Sequence, residues 1–305
     1  MHPENLNFLR DNLKFHGFGD GGTLFEELET AVEEGKKEFE LKTLEFFDED
    51  CCAEATLFFR RPDSVQMYYF NRYRVQLRYT DDPENNIGQT FFMNKSGKGF
   101  TFKEAYNLLE GRVVYKKRLP GMYTNEYSAW CQLNFNDKDS RGNYKFKRFY
   151  DSYKYDLEMA LRNYDIVGMD KEEIREGLLR SLEKGNLHLI MLQTKNKNVL
   201  KKFVQADPQN RLVILYPQAT RAEIRQAIKE RKKAADRLAN MNLDKPAINP
   251  PPSAPEINLP RPDVTFPFPE IEKEASIPDE EDEPVTVVKR PSTRKRIARE
   301  IKSKY

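Results

Sequence analysis

Between Tyr68 and Tyr79 arginines and aromatics interleave. Side chains of a strand alternate faces, so as a strand this segment lines up Arg72, Arg74, Gln76 and Arg78 opposite Tyr73, Val75, Leu77 and Tyr79. A row of guanidinium groups is equipment for holding phosphate or a nucleic-acid backbone, because it presents fixed positive charge and several hydrogen-bond donors. Base stacking needs aromatics on the same exposed face, and the alternation turns this segment's own aromatics to the other side. The plainer reading is an amphipathic strand whose aromatics are packed and whose arginines are solvated.

Three other basic groups repeat the theme. Lys147 and Arg148 sit in a basic-aromatic run from Phe146 to Lys154. A helix expected from Thr220 carries Arg225, Lys229, Lys232 and Lys233, and its stretch Arg221 to Arg237 holds seven basic and three acidic residues. The run from Lys289 to Lys304, with Arg294, Lys295 and Arg296 inside it, has eight basic residues and one acidic. Arms of this kind bind polyanions without sequence preference, or serve as addresses read by other proteins.

Signals for catalysis are weaker. The loop Asn94-Lys95-Ser96-Gly97-Lys98-Gly99 resembles a phosphate loop in composition, but Phe92 stands where the first glycine belongs and Gly99 replaces the hydroxyl residue. A turn joining a strand to another strand or to a helix is expected there. The histidines, His2, His16 and His188, are too widely separated for a metal cluster. Cys51 and Cys52 are adjacent, without the two-residue spacer of a redox or zinc motif, and Cys131 beside Trp130 falls in an expected strand. No catalytic residue is assigned, and no metal or cofactor is expected.

The elements that must position these residues follow from periodicity. Leu6, Leu9 and Leu13 have helical spacing, and Thr23 with Glu26 forms a capping-box pattern before a second helix. Strands are expected over Glu38–Phe47, Ala53–Arg60, Val65–Tyr79 and Gln89–Met93, and short links make them antiparallel. Thr101 with Glu104 caps a helix that Gly111 closes. A hairpin over Tyr127–Phe135 and Tyr144–Phe149 follows, then helices at Tyr155–Tyr164 and Lys171–Lys184, the latter opened by Asp170 with Glu173 and closed by Gly185. Leu187–Gln193, Val199–Gln205 and Leu212–Tyr216 read as three closing strands.

The expected fold is therefore α+β: mostly an antiparallel sheet meander with short capped helices, then a disordered C-terminal tail. Its parts are an α+β body over residues 1–150, a unit over 151–244 of helices, three strands and the basic helix, which can be continuous with the first, and a proline-rich tail over 245–305. Nine prolines between Pro246 and Pro269 forbid regular helix or central strand in that tail.

Composition restricts function further. Lys and Arg number 51 against 49 Asp and Glu, so any attraction to a polyanion must be local. The start, MHPENLNFLRDNL, lacks the basic-then-apolar pattern of a secretory signal, and no run of about 18 apolar residues exists to span a membrane. Three cysteines cannot all pair within one chain, which fits reduced thiols and a cytoplasmic setting.

The segments Lys103–Val114, Glu126–Phe135, Gly142–Tyr144 and Tyr155–Glu158 resemble uncharacterised proteins carried by conjugative and other mobile elements of Bacteroidetes, with the resemblance extending from about Asn5 to Tyr216. It implies, by genetic company alone, an accessory role in DNA transfer or element maintenance and supplies no catalytic residue. The expected function is a non-enzymatic binding protein whose partner is nucleic acid or an acidic protein. Two alternatives stand beside it: an enzyme acting on nucleic acid through a site not visible in sequence, and an inhibitor or decoy of another protein.

Overall fold

The computed structural model describes residues 3–47, 51–79, 86–93, 99–120 and 126–217, with Glu223, Ile224, Gln226, Ala227 and Glu230, all within one compact unit. Helix α1 (Pro3–Phe15) and helix α2 (Thr23–Glu33) precede strands β1 (Glu38–Phe46), β2 (Cys51–Arg60), β3 (Tyr69–Tyr79) and β4 (Ile87–Phe92). These strands form one antiparallel sheet in the order β1-β2-β3-β4. Helix α3 (Phe102–Leu109) leads to a second sheet of β5 (Val114–Pro120), β6 (Glu126–Lys138) and β7 (Tyr144–Tyr150). Helices α4 (Leu157–Leu161) and α5 (Glu172–Glu183) then precede a third sheet, β8 (His188–Gln193), β9 (Val199–Asp207) and β10 (Leu212–Pro217), in the order β10-β9-β8. The α+β class and the antiparallel meanders expected from the sequence are what the structure has.

Period-two patterning builds the first sheet. On β2 and β3 the buried Ala53, Ala55, Leu57, Phe59, Tyr73, Val75, Leu77 and Tyr79 share the inner face. Fully burying a side chain of leucine or phenylalanine size stabilises by about 1.5–3 kcal/mol, so this face dominates the energetics. Leu9 and Leu13 of α1, Leu28 of α2 and Phe102, Ala105 and Leu108 of α3 belong to the same core. Phe18 lies at its centre, stacked on Phe102 and edge-on to Phe70 and Tyr73. The Tyr73 hydroxyl donates to the carbonyl of Phe100 at 2.6 Å, so the phenol is satisfied at full burial.

The second sheet is a shared layer. Leu133 and Phe146 on one face pack into the first core, while Trp130 and Phe149 on the other pack into a second core with Leu161, Leu178, Leu182, Ile190 and Val204. A buried polar node ties α3 to the end of α5: Asn107 Nδ2 donates to the Lys184 carbonyl (2.7 Å) and Asn186 Oδ1 (2.9 Å), and Asn107 Oδ1 accepts from Arg112 (2.7 Å).

The helix ends divide the expected caps. Thr101 and Glu104 form the reciprocal capping box, and the backbone N–H of Gly111 and Arg112 bond to the carbonyls of Leu108 and Asn107, closing α3 with Gly111 at φ 82°. The Thr23–Glu26 box is not made: Gly22, at φ 75° and ψ −163°, is the N-cap, so Thr23 already lies inside α2. Likewise Lys171 rather than Asp170 caps α5, without a side-chain bond. Strand β5 was not expected from the sequence. The proline-rich tail and nearly all of the basic helix lie outside the described residues.

Candidate nucleic-acid interface

Strand β3 carries Arg72, Arg74 and Arg78 outward, as the alternation requires, and all three are exposed. A bulge makes this possible. Phe58 pairs with Arg72 but Phe59 pairs with Phe70, leaving Asn71 as the extra residue and allowing Phe70 and Tyr73 both to face the core.

Register then decides what stands beside the arginines, because directly opposite residues of an antiparallel pair share a face. Arg72 is opposite Phe58 on β2 and Phe92 on β4, and Glu40 lies beyond Phe58 on β1. The neighbouring row runs Lys42, Thr56, Arg74, Thr90, and the next runs Leu44, Glu54, Gln76, Gly88. The outer face thus carries aromatics with its arginines, contrary to the expectation from β3 alone. They come from the two flanking strands. Phe58, Phe92, Lys42, Thr56 and Thr90 are the members of this surface that reasoning along one strand does not reach.

The cations of the face differ in their commitments. Arg78 pairs with Glu54 at 2.8 Å and Arg60 with Glu38 at 3.1 Å. Such exposed pairs contribute about 0–1 kcal/mol and partly neutralise that end of the sheet. Arg72 and Arg74 make no ion pair among the described residues. The Arg72 guanidinium lies over the Phe58 ring, 4.7 Å from its centroid. The Arg74 side chain reaches across Gly88, where an added Cβ would come 3.1 Å from Arg74 Nη2. Gly88 therefore leaves room for that guanidinium.

Charge has a direction across the sheet. Glu38 and Glu40 lie on β1, and the open groove between α2 and β1 is lined by Glu26, Glu27, Glu34 and Glu40, with Lys36 as its one basic residue among the described residues. Carboxylates therefore concentrate on the β1 side, with Lys42 the cation of β1 on the outer face, and the guanidinium groups of Arg72, Arg74 and Arg78 lie on β3.

Lys147 and Arg148 are neighbours on β7 and therefore point to opposite faces of the second sheet. Lys147 is opposite Gln132 on the side of the second core, and Arg148 is opposite Cys131 on the other side. Burial pushes the Cys131 thiol up to about 11, with Arg148 acting against that rise. These two cations do not form one patch. Arg225, Lys229, Lys232, Lys233, Arg294, Lys295 and Arg296 lie outside the described residues. Among the described residues no three His, Cys, Asp or Glu side chains converge as a metal site, and no helix is long and apolar enough to cross a membrane. In comparisons with known proteins no family model matches the chain, and neither a curated protein nor a solved structure matches it.

Proposed function

We propose that this chain is a non-enzymatic binding protein that holds nucleic acid against the outer face of the β1–β4 sheet, in the accessory role for a mobile element that the sequence resemblance implies. The observation that carries the reading is the exposed pair Arg72 and Arg74, which make no ion pair among the described residues, with Arg74 standing between the hydroxyls of Thr56 and Thr90. Guanidinium and hydroxyl groups are the side chains that contact phosphate and sugar. An acidic protein would be attracted by the same charges, but the aromatics of the face favour nucleic acid. The basic run with Arg294, Lys295 and Arg296 adds non-specific attraction, and the thiols of Cys51, Cys52 and Cys131, none of them in a disulfide, agree with a cytoplasmic setting.

The test is titration of a fluorescein-labelled single-stranded DNA by anisotropy over a salt series. Each phosphate contact on a single strand contributes about 0.7 to the slope of log K against log salt, so the Arg72→Gln/Arg74→Gln double variant loses about 0.7 of that slope where Arg74 alone meets a phosphate and about 1.4 where Arg72 does so as well. Arg162→Gln, at an exposed arginine that caps the C-terminus of α4 and pairs with Glu158, leaves the slope unchanged. Absence of binding at low salt, or a double variant that binds like the parent, overturns the reading.

A further inference from the structure

We infer that the ligand of this face is a single strand, its unpaired bases stacked on Phe92 and on the Arg72–Phe58 pair and its backbone lying along the adjacent Arg74 row. The inference rests on the proposed function and specifies its substrate.

Two neighbouring rows of the sheet have different chemistry. In one, Phe58, Arg72 and Phe92 follow one another across β2, β3 and β4. All three offer flat surfaces. Phe92 is 43% exposed, whereas its neighbour Phe91, turned to the core, is 2% exposed. Phe58 carries the Arg72 guanidinium as an upper layer, 4.7 Å from Cζ to ring centroid. Unpaired bases stack both on aromatic rings and on arginine planes, and stacking is sequence-tolerant because every base has a π-face. One exposed phenylalanine is ordinary on a protein surface. Its place in a row with a guanidinium-covered ring is what points to stacking.

In the adjacent row Thr56, Arg74 and Thr90 offer hydroxyl and guanidinium donors, with no carboxylate among them. Successive rows on one face are about 6.7 Å apart along the strand, and residues on alternate strands are about 9.6 Å apart across the sheet. A strand of nucleic acid can therefore place bases on one row and phosphates on the next. A duplex presents only its phosphates and groove edges to a flat face, since its bases are already stacked on each other. It would engage Arg74 and leave Phe92 unused.

The experiment compares a labelled DNA single strand of about 12 nucleotides, within the range of single-strand site sizes, with the duplex of the same sequence. Phe92→Ala is expected to weaken the single strand by about 5- to 150-fold, the range for loss of one stacked base, and to leave duplex affinity within about twofold. Phe92 is exposed and outside the core, so both Phe92 variants fold. Phe92→Trp should retain the affinity and show fluorescence quenching when the single strand is added, a signature that charge attraction alone does not produce. The inference is overturned if Phe92→Ala binds the single strand like the parent, or if the parent prefers the duplex. Should the Arg72→Gln/Arg74→Gln variant still lose affinity in those cases, the face remains a nucleic-acid surface and only the stacking is lost. If the arginine variant also has no effect, both readings fall.

Discussion

Two glycines give a controlled test of how the end of α5 is held. Gly35 and Gly185 each follow the last residues of a helix, α2 and α5, with φ 70° and 76°. The left-handed conformation costs an alanine roughly 1–2 kcal/mol, offset by about 0.4–1 kcal/mol because alanine restricts the unfolded chain. Gly35→Ala is therefore expected to destabilise by about 1 kcal/mol, since a Cβ there meets nothing within 4 Å. At Gly185 the same Cβ would sit 2.6 Å from the Val113 carbonyl oxygen, 2.9 Å from Val114 Cγ2 and 3.2 Å from Asn107 Cβ. The carbonyl belongs to the backbone and cannot swing aside as a side-chain tip would. Overpacking of this kind adds about 1–3 kcal/mol, so Gly185→Ala should lose about 2–4 kcal/mol in all. Urea unfolding followed by Trp130, the single tryptophan, reads both variants. With a slope of about 2–3 kcal/mol per molar, the midpoint falls by about 0.4 M for Gly35→Ala and by about 0.7–2 M for Gly185→Ala. Equal shifts in the two variants would refute the argument that α5 is seated against β5 at Gly185.

The caps and a buried histidine supply two more tests. Thr101→Ala removes a formed capping box and should cost about 1 kcal/mol, whereas Thr23→Ala, at a position that makes no cap, should change stability by less than about 0.5 kcal/mol; thermal unfolding of the pair checks both. His16 is fully buried, with Nδ1 2.8 Å from the Asn12 carbonyl and no hydrogen-bond partner for Nε2 among the described residues. Burial lowers its pKa from the ordinary 6.5, helped by Lys116 and opposed by the Asn12 bond and Glu104. The fold thus holds the neutral ring. Its contribution to stability is present above pH 6.5 and is lost as pH falls from 6.5 towards the depressed folded value. His188, also lowered by burial, acts in the same direction. Urea midpoints measured from about pH 7.5 down to about pH 5.5 should fall, and His16→Leu should flatten that fall. A midpoint independent of pH in the parent would contradict the neutral buried imidazole.

What could be read in advance divides along local and non-local lines. Strands β2, β3, β8, β9 and β10 were legible because side-chain period and short links are properties of a few consecutive residues. Strand β5 was not, because Lys116, Lys117 and Arg118 follow one another without alternation, and the pairing with β6 shifts between Lys116 and Leu119 where Arg118 takes φ 57°. Caps were half legible for a related reason. Thr101 and Thr23 begin the same four-residue pattern, but a glycine before Thr23 can take a backbone conformation that starts the helix one residue sooner. The candidate site shows the limit most clearly. The arginine row is a one-strand property and was visible, yet the rings of Phe58 and Phe92 join it only through cross-strand register, and a slip of one residue would send them to the core face. Alternation within β3 correctly puts Tyr73 and Tyr79 inside. It says nothing about the strands on either side, and those strands are what add the rings of Phe58 and Phe92 to the outward arginine row.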